Sequence, residues 1–188
     1  MKILAIAGSP RLKGNTSFLV DQALAEVEKL GVETEKIVLA QYEVNPCLGH
    51  DNCASLASCT QKDDAGWIME KFYEADGVIL ASPVYYLNVT AQMKAFLDRN
   101  YFPYKKNIRG KARAVGIIVV GEQMGIEDTL YTLHQFVDWV FFVGKSRRFI
   151  VTGYANHVGD AKKNARLVAE AREMGRKMAA SLQQELSD

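Results

Sequence analysis

Apolar residues follow two rhythms along the chain. Short aliphatic runs alternate with stretches in which apolar positions recur every three or four residues, the two periods that separate buried strands from amphipathic helices. Lys2 to Ala7 predicts a buried strand. A turn follows, then a helix over about 16–30 with Val20, Leu24 and Val27 on one face and Gly31 as its stop. Residues 35–39 predict a second strand. Asp63 or Asp64 can cap a helix through Trp67, Phe72 and Tyr73, and 77–82 predict a third strand. A helix over about 91–99 comes next. Residues 113–120 form the most apolar segment, a continuous run of the kind found where helices cover both faces of a strand. Residues 127–142 predict a helix and 148–152 a short strand. A long final helix over 161–186 carries Leu167, Ala171, Met174, Met178 and Leu182 on one stripe.

Five strands, each followed by a helix, with no repeat, linker or low-complexity segment between them, predict one α/β domain over 1–188. The small solution is a flavodoxin-like three-layer sandwich. Its five-stranded parallel sheet has the order 2-1-3-4-5 with helices on both faces, and it places a ligand at the carboxyl ends of strands 1 and 3. The loops after Ala7, Ser82 and Val120 should therefore assemble the site.

Composition narrows the possible partners. The 188 residues hold 23 basic and 22 acidic side chains, a formal charge of +1, which lacks the clustered basic excess of a nucleic-acid binder. The longest apolar stretch, 114–120, falls far short of the ~20 residues of a membrane helix. The first eight residues run straight into a turn without the long apolar region of a signal peptide. A cytoplasmic protein with no membrane partner is expected.

The first loop reads Gly8-Ser9-Pro10-Arg11-Leu12-Lys13-Gly14-Asn15-Thr16-Ser17. A helix cap needs one Ser, Thr or Asn. Here Ser9, Asn15, Thr16 and Ser17 bracket a glycine and two cations where a helix begins, an arrangement suited to a phosphate. Five residues separate Gly8 from Gly14 and Asn15 stands where a Walker lysine would be, and the dinucleotide fingerprint Gly-x-Gly-x-x-Gly is absent. Nucleoside triphosphate hydrolysis is thereby disfavoured. The second loop, Ser82 to Ala91, offers a flat wall in Pro83, Val84, Tyr85 and Tyr86, with Asn88 for hydrogen bonds to a heterocycle's edge. The third, Gly121-Glu122-Gln123-Met124-Gly125, has two glycines that permit close backbone approach; taken alone it reads as a flexible connection.

Ser9-Pro10-Arg11 with Gly14-Asn15-Thr16-Ser17, followed by Ser82-Pro83-Val84-Tyr85, Asn88, Ala91, Lys94, Asp98 and Arg99, resembles the NADPH-dependent FMN reductase superfamily, in particular its iron-sulfur flavoprotein branch. The likeness covers about 1–120 in motifs and the final third in fold only. It implies that Ser9, Arg11, Asn15, Thr16 and Ser17 hold the FMN phosphate, that Pro83 to Tyr86 and Asn88 lie along the isoalloxazine, and that Gly121 to Gly125 close over the ring. Glu122-Gln123-Met124 depart from the small polar residues usual there. Lys94, Asp98 and Arg99 read as structural helix residues. The implied activity is an FMN-dependent oxidoreductase that takes hydride from NAD(P)H at flavin N5 and passes electrons to a small-molecule acceptor or a redox protein. No side chain need act as acid or base. The alternative is a non-enzymatic electron carrier of flavodoxin type, for which a strongly acidic surface is expected. The resemblance also implies a homodimer or homotetramer, with the aromatic loop 101–104 as the segment to cover a neighbour's flavin.

The three cysteines lie close together in Pro46-Cys47-Leu48-Gly49-His50-Asp51-Asn52-Cys53 and at Cys59. An odd number in a reducing compartment suits metal or redox use better than disulfides. The segment resembles the compact four-cysteine motif of the iron-sulfur branch with His50 in the second place. Three readings stay open: a 4Fe-4S cluster on Cys47, His50, Cys53 and Cys59, with imidazole raising its potential; a lost cluster; or a structural zinc. Other occupants of the fold fail on their motifs. A low-molecular-weight tyrosine phosphatase needs Arg six residues after its Cys, where this chain has Cys53, Cys59 and Ala65. A receiver domain needs Asp at the end of strand 3, where Ala81-Ser82-Pro83 stand, and no Gly-x-Ser-x-Gly elbow is present. His134 and His157, each isolated, read as surface or helix residues.

Overall fold

The computed structural model describes residues 1–141, 143–144 and 147–184. In chain order it has β1 (Lys2–Ala7), α1 (Asn15–Lys29), β2 (Glu33–Val38), α2 (Ala65–Glu74), β3 (Gly77–Pro83), α3 (Ala91–Arg99), α4 (Tyr101–Lys105), β4 (Ala114–Gly121), α5 (Ile126–Val140), β5 (Arg148–Tyr154), α6 (Asp160–Lys163) and α7 (Ala165–Gln184). The strands pair in parallel in the order β2-β1-β3-β4-β5, so the flavodoxin-like topology expected from the alternation of periods is the one observed.

The two faces of the sheet bury different partners. Leu4, Ile6, Leu80, Val115 and Ile117 pack on one side against Phe72 of α2, Phe96 of α3 and Leu133 and Val137 of α5. Ile3, Ala5, Ile79, Ala81 and Ile118 pack on the other against Leu19, Val20 and Leu24 of α1 and Leu167, Met174 and Met178 of α7. Each fully buried large apolar side chain contributes ~1.5–3 kcal/mol, and β4, buried along its whole length, anchors both layers. Helices α1 and α7 cross closely because position 175 is glycine. A Cβ there would stand 2.1 Å from the carbonyl oxygen of Ala23.

Several boundaries differ from the sequence reading. Strand β2 starts at Glu33, because its edge position lets polar residues pair with β1 without burial. Strand β5 runs on through Gly153 and Tyr154, paired to β4. The segment 101–104 is helical: the Tyr104 N–H donates to the carbonyl of Asn100 at 3.1 Å, and Pro103 sits within the first turn, where its missing N–H costs nothing. The final helix is two helices, since Asn164 adopts an extended conformation and its Oδ1 accepts from the N–H of Leu167 at 3.1 Å, opening α7 anew. Helix α5 stops at Val140, with Phe141 extended, short of the predicted end at 142, while residues 142 and 185–186 lie outside the described residues. Among the described residues, no helix is long and apolar enough to cross a membrane.

Candidate functional site

The carboxyl ends of β1, β3, β4 and β5 border a cleft of about 370 Å³, within the range of small-molecule sites. Ser9, Arg11, Asn15, Thr16, Pro83, Val84, Tyr85, Tyr86 and Gly121 line it. The parallel topology alone brings these three distant loops together.

The first loop is shaped by its own polar groups. The Gly8 N–H donates to the Ala81 carbonyl at 2.8 Å, Gly14 N–H to the Arg11 carbonyl at 2.9 Å, and Arg11 N–H to Ser9 Oγ at 3.2 Å. Ser9 is thus a buried strut of the turn. Gly14 occupies the N-cap of α1 with no side chain capping it, and the first turn holds no acidic residue. Among the described residues, the N–H groups of Asn15, Thr16 and Ser17 meet no protein acceptor. Unfilled donors at the positive end of a 15-residue helix, beside the exposed cations Arg11 and Lys13, form a cradle for a dianion.

Two side chains of this loop do other work. Ser17 Oγ accepts from Lys36 Nζ at 3.0 Å, is buried and lies outside the cleft. The Asn15 amide is committed to the loop after β5, donating to the His157 carbonyl at 2.9 Å and accepting from Gly159 and Ala161 N–H at 3.0 and 3.2 Å. What Asn15 offers the cleft is its backbone N–H.

The second loop is a tight hairpin. Tyr85 and Asn88 exchange both backbone hydrogen bonds, at 2.8 and 3.2 Å, and force Tyr86 and Leu87 to φ values of +47° and +67°. Left-handed non-glycine residues cost ~1–2 kcal/mol each. Tyr86, fully exposed, is held over the cleft mouth by that strain. Asn88 Oδ1 accepts from Val89 N–H at 2.8 Å, so the side chain braces the hairpin and does not line the cleft. Gly125 also lies outside it. With φ of +82° it packs under the hairpin, where a Cβ would stand 2.8 Å from both Leu87 Cα and Val84 Cγ1. Thr90 joins the first two loops, its Oγ1 donating to the Gly8 carbonyl at 2.6 Å and accepting from Met93 N–H at 3.2 Å.

Sequence reading missed the fourth wall. Ala155, Asn156 and Val158, after β5, line the cleft, and Ala155 N–H donates to the Gly121 carbonyl at 2.9 Å. The signal was available: turn-forming Asn156 and Gly159 follow a strand of the same parallel sheet, whose carboxyl end must open on the same side. His157 is exposed as expected, and its backbone carries its contacts.

The cysteine segment carries its four candidate ligands close together in sequence. Among the described residues, no three His, Cys, Asp or Glu side chains converge on a metal position. Each candidate is engaged locally. Cys47 Sγ accepts from Gly49 N–H at 3.4 Å, and buried Cys53 donates to the His50 carbonyl at 3.1 Å. His50 Nδ1 lies 3.4 Å from Thr60 Oγ1, and Cys59 Sγ accepts from Arg99 Nη2 at 3.5 Å. In this arrangement Cys47, His50, Cys53 and Cys59 do not converge on one metal position. Asp63 fastens the segment, accepting from Asn45 and Ala65 N–H and pairing with Arg99. Burial raises the Asp63 carboxyl, but the guanidinium and those N–H groups outweigh it and hold the group below the usual carboxylate range. Lys94 and Asp98 pair with each other at 2.5 Å on the exposed side of α3, in keeping with their structural reading.

Comparison with known proteins places this geometry. The family of NADPH-dependent FMN reductases matches residues 1–157. An iron-sulfur flavoprotein of Methanocaldococcus jannaschii is 37% identical over 186 residues, spanning 95% of this chain and 96% of that one. Another, of Methanosarcina thermophila, is 35% identical over 161 residues, spanning 85% and 81%. Among solved structures, an NAD(P)H:quinone oxidoreductase from Methanothermobacter marburgensis superposes with a TM-score of 0.75 over 95% of this chain and 96% of that one; at 15% identity this likeness is one of fold. The chain belongs to the NADPH-dependent FMN reductase family, in its iron-sulfur flavoprotein branch.

Proposed function

We propose that the cleft at the carboxyl ends of β1, β3, β4 and β5 binds FMN and that the chain oxidises NAD(P)H there. One observation carries this reading: the uncapped, carboxylate-free N-terminus of α1 opens into the same cleft as the Pro83 to Tyr86 wall. A single phosphate cradle with a planar wall suits FMN, whereas FAD would need a second cradle. The backbone N–H groups of Asn15 and Thr16 and the Arg11 guanidinium hold the phosphate. The Tyr85-Tyr86 hairpin orients the ring and keeps water off one face. When bound, FMN supplies the redox chemistry, taking hydride from NAD(P)H and giving electrons to an acceptor.

The acceptor class we infer is a small oxidised molecule such as a quinone, or a redox protein, met in the cytoplasm. Assembly as a homodimer or homotetramer is supported by exposed Tyr104 and Trp139, whose rings meet edge to face at 5.8 Å; light scattering of the FMN-loaded protein tests it, and a stable monomer removes it.

Steady-state NAD(P)H oxidation by FMN-loaded protein tests the enzymatic reading. Turnover with a quinone or another small acceptor supports it. Tight FMN binding without NAD(P)H oxidation would leave the flavodoxin-type carrier, against which the formal charge of +1 already counts.

A further inference from the structure

Asn15 serves two sides of the structure at once, and we infer that its side chain is the positioning residue that holds the fourth wall of the cleft in place. The inference rests on the flavin reading of that cleft. The residue opens α1, so its backbone N–H belongs to the phosphate cradle. Its side chain turns the other way and spans 142–146 residues of chain to reach three backbone groups: the His157 carbonyl at 2.9 Å, Gly159 N–H at 3.0 Å and Ala161 N–H at 3.2 Å.

Beyond the burial of Ala161 in the core, the hydrogen bonds that hold this segment are few. At its near end, Ala155 N–H is fixed to the Gly121 carbonyl. At its far end Asp160 accepts from His157 N–H at 2.8 Å and Asp160 N–H donates to the His157 carbonyl at 3.1 Å, bonds that close a local turn without attaching it to the rest of the fold. Asn156 and Val158, which line the cleft, lie between the two attachments. The Asn15 amide therefore ties cradle and wall into one unit, a supporting contact of the kind that sets the precision of a binding site. A direct phosphate ligand would be felt by FMN alone; a wall support is felt equally by a flavin without phosphate.

The test compares FMN and riboflavin affinities with hydrogen exchange of the flavin-free protein. Asn15→Ala removes three hydrogen bonds. Exchange at the Gly159 and Ala161 amides should quicken by roughly tenfold or more, and both flavins should weaken by roughly tenfold, leaving their ratio unchanged within about twofold. Asn15→Asp keeps an oxygen for both N–H groups but brings a negative charge to the cradle. Protection at Gly159 and Ala161 and riboflavin affinity should return, while FMN alone stays weak. Unchanged protection in Asn15→Ala overturns the inference, as does a loss of FMN with riboflavin untouched. Should Asn15→Ala fail to fold, Asn15→Asp decides by the same readouts: retained protection and riboflavin affinity support the strap, and loss of both overturns it. A wild-type protein that binds neither flavin overturns the flavin reading, and with it the wall's role, while the exchange measurement, made without flavin, still judges the contact itself.

Discussion

Arg99 at the end of α3 and Asp63 at the end of the cysteine segment form an ion pair in which each side chain is only 1% exposed. The guanidinium also donates to the Asn45 carbonyl at 3.1 Å and to Cys59 Sγ, so one buried cation fastens both ends of the segment to the helix layer. Removing one member of a buried pair leaves an uncompensated charge, at a cost of ~3–5 kcal/mol. Asp63→Ala should lose about that much in urea unfolding, and adding Arg99→Met to it should recover a large part. A loss under about 1 kcal/mol would mean that the segment's attachment lies elsewhere.

The same pair sets an acid limit. The folded pKa of Asp63 lies below its unfolded value of ~3.9, so the stabilisation is complete above about pH 4 and is lost as pH falls through the folded value. The difference in urea midpoint between wild type and Asp63→Asn should stay constant between neutral pH and about pH 5 and shrink below about pH 4. A difference that shrinks on raising the pH instead would contradict the assignment.

Phosphate recognition is separable from ring recognition. Replacing Arg11 by Ala removes the guanidinium that lines the cleft beside the unfilled donors of α1. A hydrogen bond to a charged group contributes ~1.5–3 kcal/mol, so FMN should bind roughly 10- to 100-fold more weakly while riboflavin hardly changes. Titrations that show equal losses for both ligands would place the phosphate outside this loop.

Much of the fold was legible because its signals are local. The apolar run in β4 and the spacing of Val20, Leu24 and Val27 in α1 encode burial on their own, and parallel order follows once strands and helices alternate. The candidate cleft was legible where residues line it through their own loop, as with Arg11, Thr16 and Tyr86. It was illegible where a side chain is claimed by a partner far away in sequence. Asn15 and Ser17 carry the residue types of phosphate ligands, yet His157 and Lys36 occupy their side chains. Nor does sequence reveal that Leu87 must take a left-handed conformation, since Asn and Gly are the residues such a turn favours.

That last conflict is testable. Leu87→Gly removes the left-handed strain while giving up little burial, because Leu87 is exposed. Stability should rise by about 1 kcal/mol, and the KM for NAD(P)H should rise as the Tyr86 wall loosens. Gly125→Ala is the converse, pushing a methyl into Leu87 and lowering stability. A Leu87→Gly protein less stable than wild type in urea would show that the turn is not strained.

His50 decides what the cysteine segment can hold. A cluster needs four ligands to converge, and ligation here requires Cys53 to lose the thiol proton it donates to the His50 carbonyl, while Cys59 can keep the N–H of Arg99. Three thiolates and a neutral imidazole offset that rearrangement less well than four thiolates, the usual ligands of such clusters. His50→Cys restores the four-cysteine pattern at positions 47, 50, 53 and 59. After anaerobic reconstitution it should therefore hold more iron and acid-labile sulfide per chain than wild type, and Cys53→Ala should hold less than either. NAD(P)H oxidation at the FMN cleft should be the same in all three proteins, because none of these residues lines it. Full iron and sulfide in the wild type would show that the segment rearranges around histidine ligation. Zinc without sulfide would make it a structural staple, and then Cys53→Ala should lower the urea midpoint while leaving flavin binding intact.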